Sequence, residues 1–112
     1  MNKLIVTFLA LMATVGGVAL AADAKAGGEV FNTKCKSCHG EGGATPNKAV
    51  ADMFKTEIPV LSSPEVQAKS DADIHKLLVE GGAPKGKMPA VLKTATPAQV
   101  DDVVAYVRSL KK

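Results

Sequence analysis

Two thiols and an imidazole stand together in the sequence Cys35-Lys36-Ser37-Cys38-His39. Cysteines at this spacing can each add a sulfur across one haem vinyl group, and the adjoining histidine can then ligate the haem iron. The motif therefore predicts one covalently attached haem c. Cys35 and Cys38 would form its thioether links, and His39 would be the proximal iron ligand.

Zinc sites and thiol redox centres also use the C-x-x-C spacing, so both are alternatives. A structural zinc site needs four Cys or His ligands. The chain has 2 Cys and 2 His, and the second histidine, His75, lies in a helical pattern far from the motif. A thioredoxin-like centre needs a βαβ setting, and no strand-rich run flanks the motif. The adjacent His39 favours haem attachment over both alternatives.

The N-terminus has the features of a secretory signal peptide. Lys3 precedes an uncharged stretch over residues 4–22, and Ala19-Leu20-Ala21 places small residues where a signal peptidase cleaves. We predict a signal peptide over residues 1–21 and one domain over residues 22–112, with cleavage at 21/22 or one residue to either side. An uncleaved membrane anchor is the alternative. Cleavage would give a soluble exported protein in the periplasm, with no membrane span.

Composition limits what this small domain can be. The chain is 4% aromatic and has no Trp, so a covalently held haem would supply much of the apolar core that a small domain otherwise lacks. The net charge is +3, and Lys3 is the only charge in the signal peptide. The remaining excess is too small and too scattered for a nucleic-acid-binding protein.

The mature sequence predicts helices joined by Gly/Pro-rich loops, and therefore an all-α fold. Capping residues mark two of the helices most clearly: Ser70 begins one that Gly81 ends, and Thr96-Pro97 begins the last one. The apolar residues at helical spacing in these two helices are Ile74, Leu77, Leu78, Val100, Val103, Val104, Val107 and Leu110. Further helices are predicted over residues 24–34 and 48–55, with a short turn at Ser63-Pro64-Glu65.

Met88 is the candidate distal iron ligand. It lies in Gly86-Lys87-Met88-Pro89, between the last two predicted helices, where Pro89 keeps it out of helical geometry. A thioether favours ferrous iron, so a His/Met pair raises the reduction potential. Met53 and His75 are the competitors. Core packing explains Met53 better, beside Phe54 in a predicted helix, and we expect His75 to lie at the surface or in helix packing.

The whole predicted mature chain resembles the class I monohaem cytochromes c, of the small soluble bacterial type. The resemblance rests on C-K-S-C-H, on K-M-P, on Gly27 and Phe31 before the motif, and on Val103 and Tyr106 in the last helix. It implies the class I cytochrome c fold, with three to five helices wrapped around one covalent haem c. It also implies a proline carbonyl that orients the proximal histidine. Pro46 is the preferred candidate, and Pro59-Val60-Leu61 is the alternative.

These residues predict a periplasmic one-electron carrier that cycles between Fe(III) and Fe(II) with His/Met ligation. We expect no enzyme activity, since both axial positions are filled and no other catalytic constellation is present. A gas- or peroxide-binding haem sensor or small catalyst, with a labile distal methionine, is the alternative. We expect a monomer whose redox partner proteins dock at a lysine-flanked haem edge. The flanking residues would be Lys34, Lys36, Lys85, Lys87 and Lys93.

Overall fold

A computed structural model describes residues 22–82 and 87–112. The predicted signal peptide, Lys85 and Gly86 lie outside the described residues. The described parts contain six α-helices, one 3-10 turn at Glu41–Gly43 and no strand. The helices are α1 (Ala24–Lys34), α2 (Lys36–His39), α3 (Lys48–Phe54), α4 (Pro64–Gln67), α5 (Asp71–Glu80) and α6 (Pro97–Ser109). None of these helices is both long and apolar enough to cross a membrane.

Helix N-termini are capped by the short polar side chains that the sequence indicates. The Ser70 side chain accepts a hydrogen bond from the Asp73 backbone N–H, and Ser63 accepts one from Val66 at the start of α4. Thr96 and Gln99 form a complete capping box at α6. Each cap satisfies backbone donors that have no partner inside the helix, so local chemistry fixes where these helices begin.

Helices α1 and α6 cross at close range, and this crossing depends on Gly27. A Cβ atom at this position would overlap the Asp102 backbone carbonyl and would lie 2.9 Å from the Val103 nitrogen. Beside the crossing, the Phe31 and Tyr106 rings pack with their centroids 5.1 Å apart. The resemblance therefore identified the right residues, because the glycine lets the two backbones approach and the rings fill the adjoining space.

The core is made of buried aliphatic side chains and one ring. Phe31, Leu92, Val100 and Val103 are each no more than 2% exposed. The apolar stripes of the two helices that follow residue 70 face this core as predicted: Ile74 and Leu78 from α5 are buried, as are all four valines of α6. The prediction of an all-α fold is confirmed.

Two details differ from expectation. The described residues contain six α-helices, where three to five were predicted. The excess arises because the haem motif forms the single-turn helix α2, and the predicted turn at residue 64 is the single-turn helix α4. Core packing was also the wrong expectation for Met53. Met53 is 69% exposed, and no residue of the seven-residue helix α3 is buried.

Candidate haem-attachment site

An apolar cleft of about 240 Å³ opens beside the C-terminal end of α1. Its lining includes Cys35, Cys38 and His39, and Met88 lines the same cleft from the loop that precedes α6. Most of the remaining lining is apolar and comes from nearly every part of the fold: Phe31, Val50, Phe54, Ile58, Pro59, Leu61, Val66, Ile74, Leu77, Leu78, Val91, Val103 and Val107. The fold thus brings the predicted iron ligands and the predicted attachment thiols to one cavity.

The motif is presented by two consecutive helical segments. The Cys35 backbone N–H caps α1 by donating to the Phe31 carbonyl at 2.8 Å, and the His39 N–H donates back to the Cys35 carbonyl at 3.0 Å. Gly40 ends this turn with φ of 80°, where a Cβ would overlap the Thr45 carbonyl. One helical turn therefore points both thiols and the imidazole at the cleft, and Gly40 lets the chain leave it.

His39 is held as a neutral imidazole. Burial lowers its pKa below the usual 6.5, because an imidazolium would lose its hydration. Its ring lies 6.4 Å from the Phe31 ring, centroid to centroid. Only the neutral form can ligate a metal, so the environment favours the state that iron needs.

The Nδ1 atom of His39 is buried and has no hydrogen-bond partner among the described residues. Pro46 lies near the motif, since the neighbouring Asn47 N–H donates to the Cys38 carbonyl at 2.9 Å. Its carbonyl does not bond to Nδ1 in this geometry. Pro59 lines the cleft. The carbonyl that orients His39 stays a prediction, with Pro46 as the candidate.

Cys35 is a poor candidate for thiol redox chemistry. Burial, followed by the neighbouring Cys38, raises its pKa to about 11, and its side chain is only 5% exposed. Reactive cysteines of oxidoreductases have the opposite property, a lowered pKa with solvent access. The described residues also contain no group of three or more His, Cys, Asp or Glu side chains that could hold a metal ion.

The backbone around Met88 is fixed by the end of α5. The Gly82 N–H donates to the Met88 carbonyl at 2.9 Å, and the Leu92 N–H donates to the Leu78 carbonyl at the same distance. Gly81 ends α5 with φ of 81°, and a Cβ there would lie 3.0 Å from the Met88 carbonyl oxygen. Gly81 is needed both for its positive φ and for this close approach.

The competing ligands lie elsewhere. Neither Met53 nor His75 lines the cleft. The His75 Nε2 atom is 3.8 Å from a carboxylate oxygen of Asp101 on α6, and the side chain is 40% exposed. The interpretation of His75 as a surface or helix-packing residue is confirmed.

The predicted lysines divide into two groups. Lys34 and Lys87 line the cleft, whereas Lys36 pairs with Glu41 at 3.8 Å and Lys93 is exposed away from the cleft lining. Lys69 also lines the cleft, and sequence reasoning missed it. Nothing in the spacing of Lys69 indicates this position, since the fold of the loop between α4 and α5 brings it there.

The residues of the cleft fit a covalently bound haem. Its apolar walls suit the porphyrin, its two thiols suit the vinyl groups, and a neutral imidazole and a thioether are the donors that bind haem iron. An all-α fold with a C-x-x-C-H motif at the end of its first helix and a methionine loop on the same cleft defines a c-type cytochrome.

Comparisons with known proteins agree with this class. The family model described as "Cytochrome C oxidase, cbb3-type, subunit III" matches residues 22–107. Cytochrome c6 of Rippkaea orientalis is 36% identical over 104 residues, which cover 93% of this chain and 84% of that protein. Cytochrome c6 of Picosynechococcus is 35% identical, with 96% and 92% covered. A solved structure, "KustC0563 c-type cytochrome", aligns with a TM-score of 0.59 at 30% identity, covering 77% of this chain and 98% of that one.

The chain therefore belongs to the cytochrome c family, as a small monohaem cytochrome of class I. It carries one covalently bound haem c, and its function is that of an electron carrier.

Proposed function

We propose that this protein is an exported carrier of single electrons, whose haem iron is ligated by His39 and Met88. The observation that carries the proposal is the shared cleft: the attachment motif and Met88 come from distant parts of the chain and line one apolar cavity. When bound, haem supplies the Fe(III)/Fe(II) couple. The residues of the chain bind it, orient it and exclude water from it.

Each site residue has its own task in this proposal. Cys35 and Cys38 would hold the haem covalently, and His39 and Met88 would ligate its iron. Phe31 and the aliphatic walls keep water away, which favours the ferrous state because the ferric site carries one more positive charge. The Pro46 carbonyl is the proposed acceptor for the otherwise unpartnered Nδ1 of His39.

We propose a carrier and not an enzyme, because an iron ligated by both His39 and Met88 would have no site left at which a substrate could bind. Spectra of the purified ferric protein test this directly. We expect the weak near-infrared band of methionine-to-iron charge transfer and a low-spin state at neutral pH. Met88→Ala should lose the band and bind added imidazole, whereas Met53→Ala is the matched control and should change neither. A high-spin wild-type protein without the band would favour a ligand-binding haem protein instead.

Covalent attachment has a separate test. Haem should stay with the wild-type chain during extraction with acid and organic solvent, because thioether links survive this treatment. A variant with both Cys35→Ser and Cys38→Ser should release any haem that it binds. Release from the wild-type protein would exclude attachment through these cysteines.

We also propose cleavage of residues 1–21, a periplasmic location and a monomeric state. Mass spectrometry of the protein from the periplasmic fraction should give an N-terminus at or within one residue of Ala22. An intact N-terminus in the membrane fraction would indicate an anchor instead. Sedimentation should give the mass of one chain plus one haem.

Lys34, Lys69 and Lys87 are the proposed basic border of the docking face. All three line the cleft, and Glu57 is the acidic residue among the lining side chains. The resulting positive excess suits a redox partner with carboxylates around its electron-transfer site. Reduction by such a partner should slow as salt is added, and a rate independent of ionic strength would exclude this docking mode.

A further inference from the structure

One wall of the haem cleft has little regular structure of its own. The chain from residue 56 to residue 69 contributes seven cleft-lining side chains, among them Ile58, Pro59, Leu61 and Val66. The only helix in this stretch is α4, which has four residues. A single helical turn is not stable by itself, so contacts with the rest of the fold must hold this wall in place.

Gln67, the last residue of α4, provides the first of these contacts. Its side-chain Nε2 donates to the Leu61 carbonyl at 2.9 Å and to the Val107 carbonyl on α6, also at 2.9 Å. Both donors of one amide group are therefore used. They close the wall segment on itself and fasten it to α6.

Arg108, the only arginine in the sequence, makes the reciprocal contact from α6. Its Nη1 donates to the Gln67 carbonyl at 2.9 Å, its Nη2 donates to the Lys69 carbonyl, and its Nε donates to an Asp71 carboxylate oxygen at 2.7 Å. The side chain is only 30% exposed. A planar guanidinium can bind three such acceptors at once, which a lysine ammonium cannot do in the same geometry.

We infer that Arg108 and Gln67 form a polar clasp that positions the 56–69 wall against the haem and so helps to set the reduction potential. The inference rests on the proposed function, since it requires haem in this cleft. Neither residue touches the cleft directly. They act through the cleft-lining residues Leu61, Val66 and Lys69. The backbone carbonyls of Leu61 and Lys69 accept hydrogen bonds from the clasp, and Val66 is the sequence neighbour of Gln67. A loosened wall admits water, and a more polar surrounding stabilises the ferric state over the ferrous one.

The test is the reduction potential of the haem-loaded protein in four single variants and in the Arg108→Met/Gln67→Met double variant. Arg108→Met and Gln67→Met remove the donors but keep the side-chain bulk. Arg108→Lys keeps the positive charge but loses the planar guanidinium that donates to three acceptors. Lys111→Met, two residues beyond the end of α6, is the matched control because it removes one positive charge from an exposed side chain.

We expect Arg108→Met and Gln67→Met to lower the ferrous-to-ferric ratio at a fixed solution potential by about threefold to tenfold relative to the control, where tenfold is 59 mV for one electron. Arg108→Lys should still show more than half of the change that Arg108→Met causes. The double variant should change the ratio by less than the product of the two single effects, because one clasp is lost only once.

A fall in thermal stability with no change in potential would overturn the inference and leave the clasp a merely structural feature. A wild-type reduction potential in Arg108→Lys would also overturn it, since the charge alone would then be responsible for the effect of Arg108→Met. If Arg108→Met does not accumulate, Gln67→Met and the milder Asp71→Asn provide the same comparison. Failure of the proposed function is distinguishable, because the wild-type protein itself would then lack the methionine-to-iron band.

Discussion

Replacing Gly27 by alanine should disrupt the α1/α6 crossing that supports the attachment motif. The added Cβ would overlap the Asp102 carbonyl and stand 2.9 Å from the Val103 nitrogen. Both obstacles are backbone atoms inside a helix, so no side chain can rotate away to make room. The two helices must separate, and the buried side chains of Phe31 and Val103 must lose part of their packing in the core.

The magnitude follows from two opposing terms. Forcing an extra methyl group into a packed contact costs about 1–3 kcal/mol, with the upper end expected where backbone must move. Alanine instead of glycine within a helix gains about 0.5–1 kcal/mol. We therefore expect a net loss of about 2 kcal/mol in the free energy of unfolding, a large share of the ~5–15 kcal/mol typical of a small domain.

Gly28→Ala is the matched control on the same helix. Its Cβ would lie 3.0 Å from the Tyr106 ring, a side chain that can shift, so we expect a free energy of unfolding within about 1 kcal/mol of wild type. The assay is equilibrium unfolding of the ferric holoprotein in guanidinium chloride, followed by haem absorbance and far-ultraviolet circular dichroism. A Gly27→Ala protein as stable as Gly28→Ala would refute the close-crossing argument.

Three further predictions concern the site. Burial lowers the pKa of His39 below 6.5, so that on acidification the unfolded chain binds a proton at His39 before the folded chain does. The free energy of unfolding should therefore fall as the pH drops below 6.5, by up to about 1.4 kcal/mol per pH unit. Unfolding curves in a His75→Gln background measure this, and a stability that is flat between pH 6.5 and 5 would contradict it. Gly81→Ala should cost about 1–3 kcal/mol, because φ of 81° with ψ of 175° is a backbone conformation that only glycine adopts readily. It should also weaken the proposed Met88–iron bond, so that the near-infrared band is lost at a lower pH than in wild type when the solution is made alkaline. If the pH at which half of the band is lost does not change, Gly81 does not help to position Met88. Lys34→Glu should slow oxidation by anionic hexacyanoferrate and speed oxidation by a cationic cobalt complex; equal effects on both would exclude an electrostatic role for the cleft border.

Much of the fold was predictable because local chemistry determines it. The helix limits follow from caps such as Ser70 and Thr96, whose side chains bond the backbone within three residues. The buried faces of α5 and α6 follow from apolar spacing. The exposure of Met53 did not follow, because the apolar spacing of α3 predicts a buried face, yet no residue of this helix is buried.

The site residues likewise fall into those that the sequence predicted and those that only the fold reveals. Cys35, Cys38, His39 and Met88 were identified from chemical type and local context, and the fold places them on one cleft. The roles of Lys69, Gln67 and Arg108 depend on contacts between residues about 40 positions apart, such as Gln67 with Val107. No local pattern encodes such a contact, so only the folded chain shows it.

The central claim is that Met88 would ligate the haem iron together with His39. X-ray absorption at the iron edge measures it most directly, because a sulfur neighbour is distinguishable from nitrogen. We expect one sulfur in the first coordination shell of the wild-type protein and none in Met88→Ala. A wild-type iron without a sulfur ligand, or a sulfur that persists in Met88→Ala, would contradict the account.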